Sequence, residues 1–344
     1  MSGAPHDATV TPVDLTGWFE GDEAARDATA ALVDEACSRS GFLAVTGHRI
    51  DPALIDDMLA VTTAFFDLPL VEKLRYRPDD LAGNRGYAPE GAEALSYSLG
   101  EESPPDLFEA FNIGREVVPA DVDAATALRY YSPNIWPTEP APMRQIWLAY
   151  WDACEQLGDV LLAVFARALG LPDRHFAPYL GRSISVMRAN NYQRRAGAPP
   201  PVDGQLRMGA HSDYGSLTVL LADRVPGLQL LGADGAWHDV VPPEGGFVVN
   251  LGDLLARWTN DRWRSTLHRV VPPPPEADGS CRRRSIAWFQ QPDHDALIEV
   301  LPTCVTSDRP ARYGPITSGD HLLAKLMGPR TLSLDPSVDG GQPT

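Results

Sequence analysis

Cations are scarce in this chain of 344 residues: 29 Lys and Arg stand against 46 Asp and Glu, leaving a formal net charge of −17. Nucleic-acid binding needs a basic footprint, so this balance argues against it. Cysteine is scarce too. Cys37, Cys154, Cys281 and Cys304 never fall at C-x-x-C spacing, which gives no cysteine zinc site and fits reduced thiols in a cytoplasmic protein. No uninterrupted apolar run approaches bilayer length. The opening Met-Ser-Gly-Ala-Pro-His-Asp lacks a basic segment followed by an apolar core, so a secreted or membrane-bound protein is not expected. There is no internal repeat. Hydrophobic residues make up 44% of the chain, enough for a substantial core in one large or two modest domains.

The first half reads as mainly helical. Helices are expected over 24–38, over 51–66 with Asp51 as N-cap and Pro52 at the first helical position, and over 142–169. In the last, Ile146, Tyr150, Ala153, Leu157, Leu161, Val164 and Ala168 recur at steps of three and four. Strands are expected at 10–15 and 41–47. After Pro172 the chain becomes a series of short strands: 183–192, 217–222, 228–231, 247–251, 266–271, 285–290 and 297–301. Asp234-Gly235 gives a hairpin signal after the third of them. Such a series indicates a sandwich or jelly roll rather than a βαβ sheet. The first ten residues, the proline-rich 272–280 and the final Gly-Gly-Gln-Pro-Thr read as an arm, an exposed loop and a frayed tail.

His211-Ser212-Asp213 is the sharpest chemical signal. Residues i and i+2 of a strand face the same way, so His211 and Asp213 can reach one ion together. His268, on a distant strand, completes two histidines and a carboxylate, the set that holds a redox-active iron and leaves three positions open. In Arg282-Arg283-Arg284-Ser285 the same alternation groups Arg283 with Ser285, a guanidinium beside a hydroxyl that suits one carboxylate. Arg284 is the alternative if a bulge shifts the register. Asn190 and Tyr192 share a face in the same way.

These motifs, in this order, resemble the iron(II)/2-oxoglutarate-dependent oxygenases, in the branch that includes isopenicillin N synthase. Gly41-Phe-Leu-Ala-Val-Thr-Gly-His, Arg85-Gly-Tyr-Ala-Pro-Glu-Gly-Ala-Glu, Asp106-Leu-Phe-Glu-Ala-Phe-Asn-Ile-Gly and Val249-Asn-Leu-Gly-Asp are further matches. Two departures stand out. Ser285-Ile-Ala-Trp-Phe replaces the branch's Ser-Ile-Pro-Phe-Phe, which puts Trp288 in the pocket wall or the core, and Tyr192-Gln-Arg replaces Tyr-Pro-Pro.

The resemblance implies a mostly β protein with flanking α: a double-stranded β-helix (jelly-roll) core at 176–305, a helical and mixed N-terminal region at 1–175, and a C-terminal helix and tail at 306–344. It implies Fe(II) held by His211, Asp213 and His268, with 2-oxoglutarate held by Arg283, Ser285, Tyr192 and Asn190, and O2 as oxidant. Decarboxylation to succinate is then coupled to ferryl oxidation of a C–H bond, with hydroxylation as the default outcome. The expected substrate is a small molecule such as an amino acid, peptide or secondary metabolite, handled by a monomer or weak homo-oligomer without nucleic acid or membrane. Arg85, Tyr87, Phe108, Phe111, Asn134, Trp136 and Phe289 are the residues expected around it. Alternatives are an isopenicillin N synthase-like Fe(II) oxidase or cyclase that does not use 2-oxoglutarate, a zinc hydrolase with the same ligands, and a non-catalytic jelly-roll binding protein.

Overall fold

The structure is a computed structural model that describes residues 10–79, 84–96, 103–193, 201–273 and 282–332, the last six of these as backbone. The expected N-terminal arm, most of the proline-rich loop, Cys281 and the C-terminal tail lie outside the described residues. The first half comprises β1 (Thr11–Asp14), α1 (Thr16–Glu20), α2 (Glu23–Arg39), β2 (Phe42–Thr46), α3 (Pro52–Phe66), α4 (Leu70–Lys73), β3 (Gly86–Ala88), β4 (Glu109–Gly114), α5 (Ala124–Tyr130) and α6 (Met143–Ala168). Then come β5 (Val186–Tyr192), β6 (Met208–His211), β7 (Leu217–Ala222), β8 (Leu228–Leu231), β9 (Trp237–Asp239) and β10 (Phe247–Leu251). The chain continues with α7 (Asp253–Trp258), β11 (His268–Val270), β12 (Arg283–Gln290), β13 (Leu297–Ile298), β14 (Ile316–Thr317) and α8 (Ser318–Leu332).

Local chemistry sets several of these boundaries. Asp51 accepts a hydrogen bond from the Ala53 amide and Pro52 opens α3, as its sequence requires. Asp22 caps α2 through the Ala25 amide. At Gly235 the backbone has φ 77°, the left-handed conformation that lets β8 turn back into β9.

Strands β1-β2-β10-β7-β12-β5-β4-β3 form one eight-stranded sheet and β6-β11-β8-β9 a second, four-stranded sheet. The two enclose an inner cluster of Phe42, Phe108, Tyr192, Met208, Leu228, Leu230, Val248 and Val270. This is the jelly roll. The other face of the large sheet carries Leu43, Val45, Phe111, Met187, Val219, Val249, Ile286 and Trp288, and packs on α2, α3 and α6.

β1 to β4 join the sheet of the catalytic strands, so the N-terminal region contributes to the same sheet. One expectation is revised here. On α6, Tyr150, Leu157, Leu161 and Val164 are buried as expected, joined by Met143, Trp147, Trp151, Cys154, Leu162 and Phe165, whereas Ile146, Ala153 and Ala168 lie at the margin. The bulky Trp147, Trp151 and Phe165 bury more apolar area than the residues they displace, so they set the helix rotation. Trp288 packs in the core: a Cβ on Gly158 of α6 would come within 2.6 Å of its ring, and Trp151 meets it edge-on.

Candidate active site

His211 ends β6 and His268 begins β11, and the antiparallel register sets them directly opposite one another. Asp213 follows two residues after His211, and the three side chains bring ligand atoms within 4.8 Å of one another. Asp213 Oδ1 lies 3.9 Å from His211 Nε2 and 3.8 Å from His268 Nε2. Each imidazole is oriented by its own strand. Nδ1 of His211 donates to the Gly209 carbonyl at 2.8 Å, and Nδ1 of His268 donates to the Thr266 carbonyl at 3.1 Å. A carbonyl only accepts, so Nδ1 carries the proton in each ring, and in the neutral imidazole Nε2 is then the atom free to bind a metal.

Asp213 is held as firmly. Thr218 and Asn250 are cross-strand partners on the inner face, and both donate to Oδ2, the oxygen turned away from the histidines; the Asn250 bond is 2.6 Å. Burial raises the Asp213 carboxyl, but the two histidines and these two donors outweigh it, so its pKa falls below the usual range. Burial, helped by the neighbouring His268, lowers His211 to about 4 and keeps it neutral, the form that binds metal. Two imidazole nitrogens and one carboxylate oxygen on one face fit iron(II) with open positions.

Across the inner face, β12 and β5 are paired without a bulge from Arg283↔Tyr192 through Ser285↔Asn190 to Phe289↔Val186. Arg283 therefore faces inward, while Arg284 turns out to Asp223 and Thr63. Arg283 is 1% exposed, lies 5.1 Å from the Tyr192 ring centre, and its Nε and Nη1 have no partner. Asn190 donates to Ser285 at 3.5 Å. A buried guanidinium with unused donors beside two hydroxyls is a receptor for a carboxylate and fits the far end of 2-oxoglutarate.

The expected substrate residues divide. Phe108 lies in the inner cluster against Tyr192, and Phe289 shares the face of Arg283 and Ser285. The structure does not bring the others to the metal ligands. Tyr87 and Phe111 point into the helix-side core, where the Tyr87 hydroxyl donates to Glu109. Trp136 packs on Phe111 and Trp147. Asn134 braces both backbone groups of Gly114. Arg85 donates to the carbonyls of Asn84, Tyr130 and Ser132, and burial lowers its pKa to about 10. These side chains are structural ties.

Strand alternation, carried two residues further back from Asn190, would have found one more inward residue. Arg188 donates from Nε to Asn190 at 2.8 Å and from Nη2 to Glu93 at 2.9 Å, and its guanidinium lies 4.9 Å from the Phe108 ring centre. Asp106 ties the segment carrying Glu93 to the ligand strand: its carboxylate accepts from the Leu95 and Gly209 amides. No sequence signal marks that clasp.

A jelly roll with this ligand set and anion receptor defines a non-haem iron, 2-oxoglutarate-dependent oxygenase. Residues 184–292 match the family model of the 2OG-Fe(II) oxygenase superfamily, and residues 10–139 match that of the non-haem dioxygenase in morphine synthesis N-terminal. The chain belongs to the 2OG-Fe(II) oxygenase superfamily and is an Fe(II)/2-oxoglutarate-dependent dioxygenase. It is 33% identical to the 2-oxoglutarate-Fe(II) type oxidoreductase hxnY of Emericella nidulans, over 91% of this chain and 88% of that one. It is 32% identical to validamycin A dioxygenase of Streptomyces hygroscopicus subsp. limoneus, over 92% and 86%. Among solved structures, a full-length Neurospora crassa protein in complex with alpha-KG and thymine superposes with a TM-score of 0.82 at 30% identity, covering 95% of this chain and 99% of that chain. These likenesses support the 2-oxoglutarate reading over the oxidase alternative. Among the described residues, no helix is long and apolar enough to cross a membrane.

Proposed function

We propose that the chain hydroxylates a small polar molecule, with His211, Asp213 and His268 as the iron ligands and Arg283, Ser285, Tyr192 and Asn190 as the 2-oxoglutarate receptor. The observation that carries this reading is Arg283: a buried cation with two unused donor atoms, on the inner face that also bears the ligand set. Iron(II) and 2-oxoglutarate, when bound, supply dioxygen activation coupled to decarboxylation to succinate. The chain's own residues orient and shield. Asn250 and Thr218 hold the Asp213 carboxylate so that Oδ1 stays on the metal side. Phe108 and Phe289 wall the substrate space and keep water from the oxidised carbon.

Arg188 supplies the polar end of that space. Its Nε and Nη2 are spoken for, so Nη1 is left for an oxygen acceptor on the substrate. Pairing with Glu93 neutralises its charge, which favours an uncharged or zwitterionic molecule such as an amino acid, peptide or secondary metabolite over a simple anion. Small-molecule names among the relatives, validamycin A and thymine, support that size class. The unpaired, buried Cys37, Cys154 and Cys304 support work in the reducing cytoplasm. We further propose a monomer or weak homo-oligomer acting without nucleic acid or membrane, with 1–175, 176–305 and 306–344 as its three regions.

The test is succinate release from 2-oxoglutarate with iron(II), air and a metabolite panel. A true substrate stimulates succinate formation in step with hydroxylated product, and His211→Ala abolishes both. Product formed without consumption of 2-oxoglutarate, or full turnover with zinc, overturns the proposal.

A further inference from the structure

The turn that carries Asp213 is held from outside by two helices. The Asp253 amide, at the start of α7, donates to the Asp213 carbonyl at 2.8 Å, and the Leu254 amide donates to the Gly215 carbonyl. Ser212, whose side chain alternates away from the metal, donates to Asp253 Oδ2 at 3.1 Å. Lys325 of α8 reaches the same oxygen at 2.6 Å. One turn earlier on α8, the buried His321 lies against the Tyr214 backbone. The root of α8 is fixed in turn: the Ser318 and Gly319 amides donate to the Ala296 and His294 carbonyls. Residues 212, 213 and 214 are thus each tied to α7 or α8.

From this arrangement we infer that Lys325 and His321 are positioning residues, through which the C-terminal helix holds Asp213 in its metal-binding place. The inference rests on Asp213 being an iron ligand. An exposed ion pair contributes little by itself. Lys325 is 42% exposed, but Asp253 is only 15% exposed and passes the restraint through Ser212 to the peptide between the two ligands. Outer groups that orient a ligand typically change metal affinity 10- to 100-fold when lost. Lys325 lies more than 110 residues after Asp213 in sequence, so only the fold brings them together.

Anaerobic titration of the full-length apoprotein with iron(II) alone tests this, with the thermal midpoint of the apoprotein followed in parallel. Lys325→Met and Ser212→Ala should each weaken iron(II) by about tenfold. The double variant should be no weaker than either single one, because both cut one chain of contacts. Lys325→Arg should restore binding to within about twofold, since it keeps the charge and the reach. His321→Phe, which keeps the packing and loses the polar contact, should also weaken iron(II) while the apoprotein midpoint stays near wild type. Wild-type iron affinity in both Lys325→Met and Ser212→Ala overturns the inference, as does a Lys325→Arg variant no better than Lys325→Met. An Asp213→Ala control separates the two levels. If it binds iron(II) normally the ligand assignment itself fails; if it does not bind, a normal Lys325→Met sinks the positioning role alone.

Discussion

The two faces of the eight-stranded sheet are built from the same strands, and a buried charge on one is treated differently from a buried charge on the other. On the helix side, Glu109 accepts from Lys73 at 2.7 Å, from Asn191 at 2.8 Å and from Tyr87. That carboxylate has partners on both oxygens. On the inner face, one residue along each strand, Arg283 keeps Nε and Nη1 unpartnered. Leaving a buried cation unsatisfied costs stability, whereas a satisfied pair roughly repays its desolvation. The Glu109 cluster is therefore arranged for folding, and Arg283 holds its donors ready for a ligand.

Replacing one of the proposed metal ligands tests this contrast most severely. His211→Ala or His268→Ala should reduce iron(II) affinity by well over the roughly 100-fold reached by outer-shell changes. Unfolding of the apoprotein in urea should shift less than for a core tryptophan, because the His268 ring packs chiefly on Phe42 and His211. Asn250→Ala should fall between, at about 10- to 100-fold in affinity. Anaerobic iron titration beside urea unfolding reads both quantities. A large stability loss in the histidine variants would erase the distinction between the faces.

The outer face is challenged by Trp288→Ala. This change empties the space against Gly158 and Trp151 and should cost about 3–5 kcal/mol of stability. Trp288 lies between Ala287 and Phe289 in sequence, yet the affinity for 2-oxoglutarate should stay within about twofold, since alternation turns it away from the site. Calorimetric titration of the metal-loaded protein with 2-oxoglutarate, beside urea unfolding, checks this.

Arg283→Met reverses that pattern. The 2-oxoglutarate affinity should drop about 100-fold, a loss of roughly 2.7 kcal/mol, as a charge-assisted pair of bonds goes. The apoprotein should hold its stability or gain about 1–4 kcal/mol once an unpaired buried charge is replaced by apolar atoms. A variant that loses stability as Trp288→Ala does would show that Arg283 serves packing.

Much of this was legible in the sequence because strand alternation is a strict rule: Arg283 with Ser285 and Asn190 with Tyr192 share faces as their spacing requires, and Asp213, just past the end of β6, still reaches the same point as His211. The caps of α3 and the turn at Gly235 were equally local. Long-range placement was not legible. Arg85 and Tyr87 lie in a motif-rich segment, but whether a side chain there meets the metal or the helices depends on how β3 adds to β4 at the sheet edge. The clasps made by Asp106 and Lys325 join residues about 70 to 110 positions apart. No periodicity encodes such pairs.

The smallest effect concerns what the inner side tolerates in order to stay ready. Asp106 is 2% exposed, and burial, partly offset by the Leu95 and Gly209 amides, raises its pKa to about 6. The folded state thus binds a proton more readily than the unfolded chain between about pH 4 and pH 6. With a raised folded pKa, the stability this group contributes is greatest at the acid end and declines as pH rises through that window. The decline is at most about 3 kcal/mol for a shift near two units. In Asp106→Asn the amide group faces one of the two backbone N–H donors, so the variant should be less stable overall, but without this slope. The stability gap between wild type and variant should therefore narrow from about pH 5 to about pH 7 in urea unfolding of the apoprotein. A gap that stays constant would show that the Asp106 carboxyl titrates as an ordinary surface acid. The segment carrying Glu93 would then be clasped to the ligand strand at no electrostatic cost.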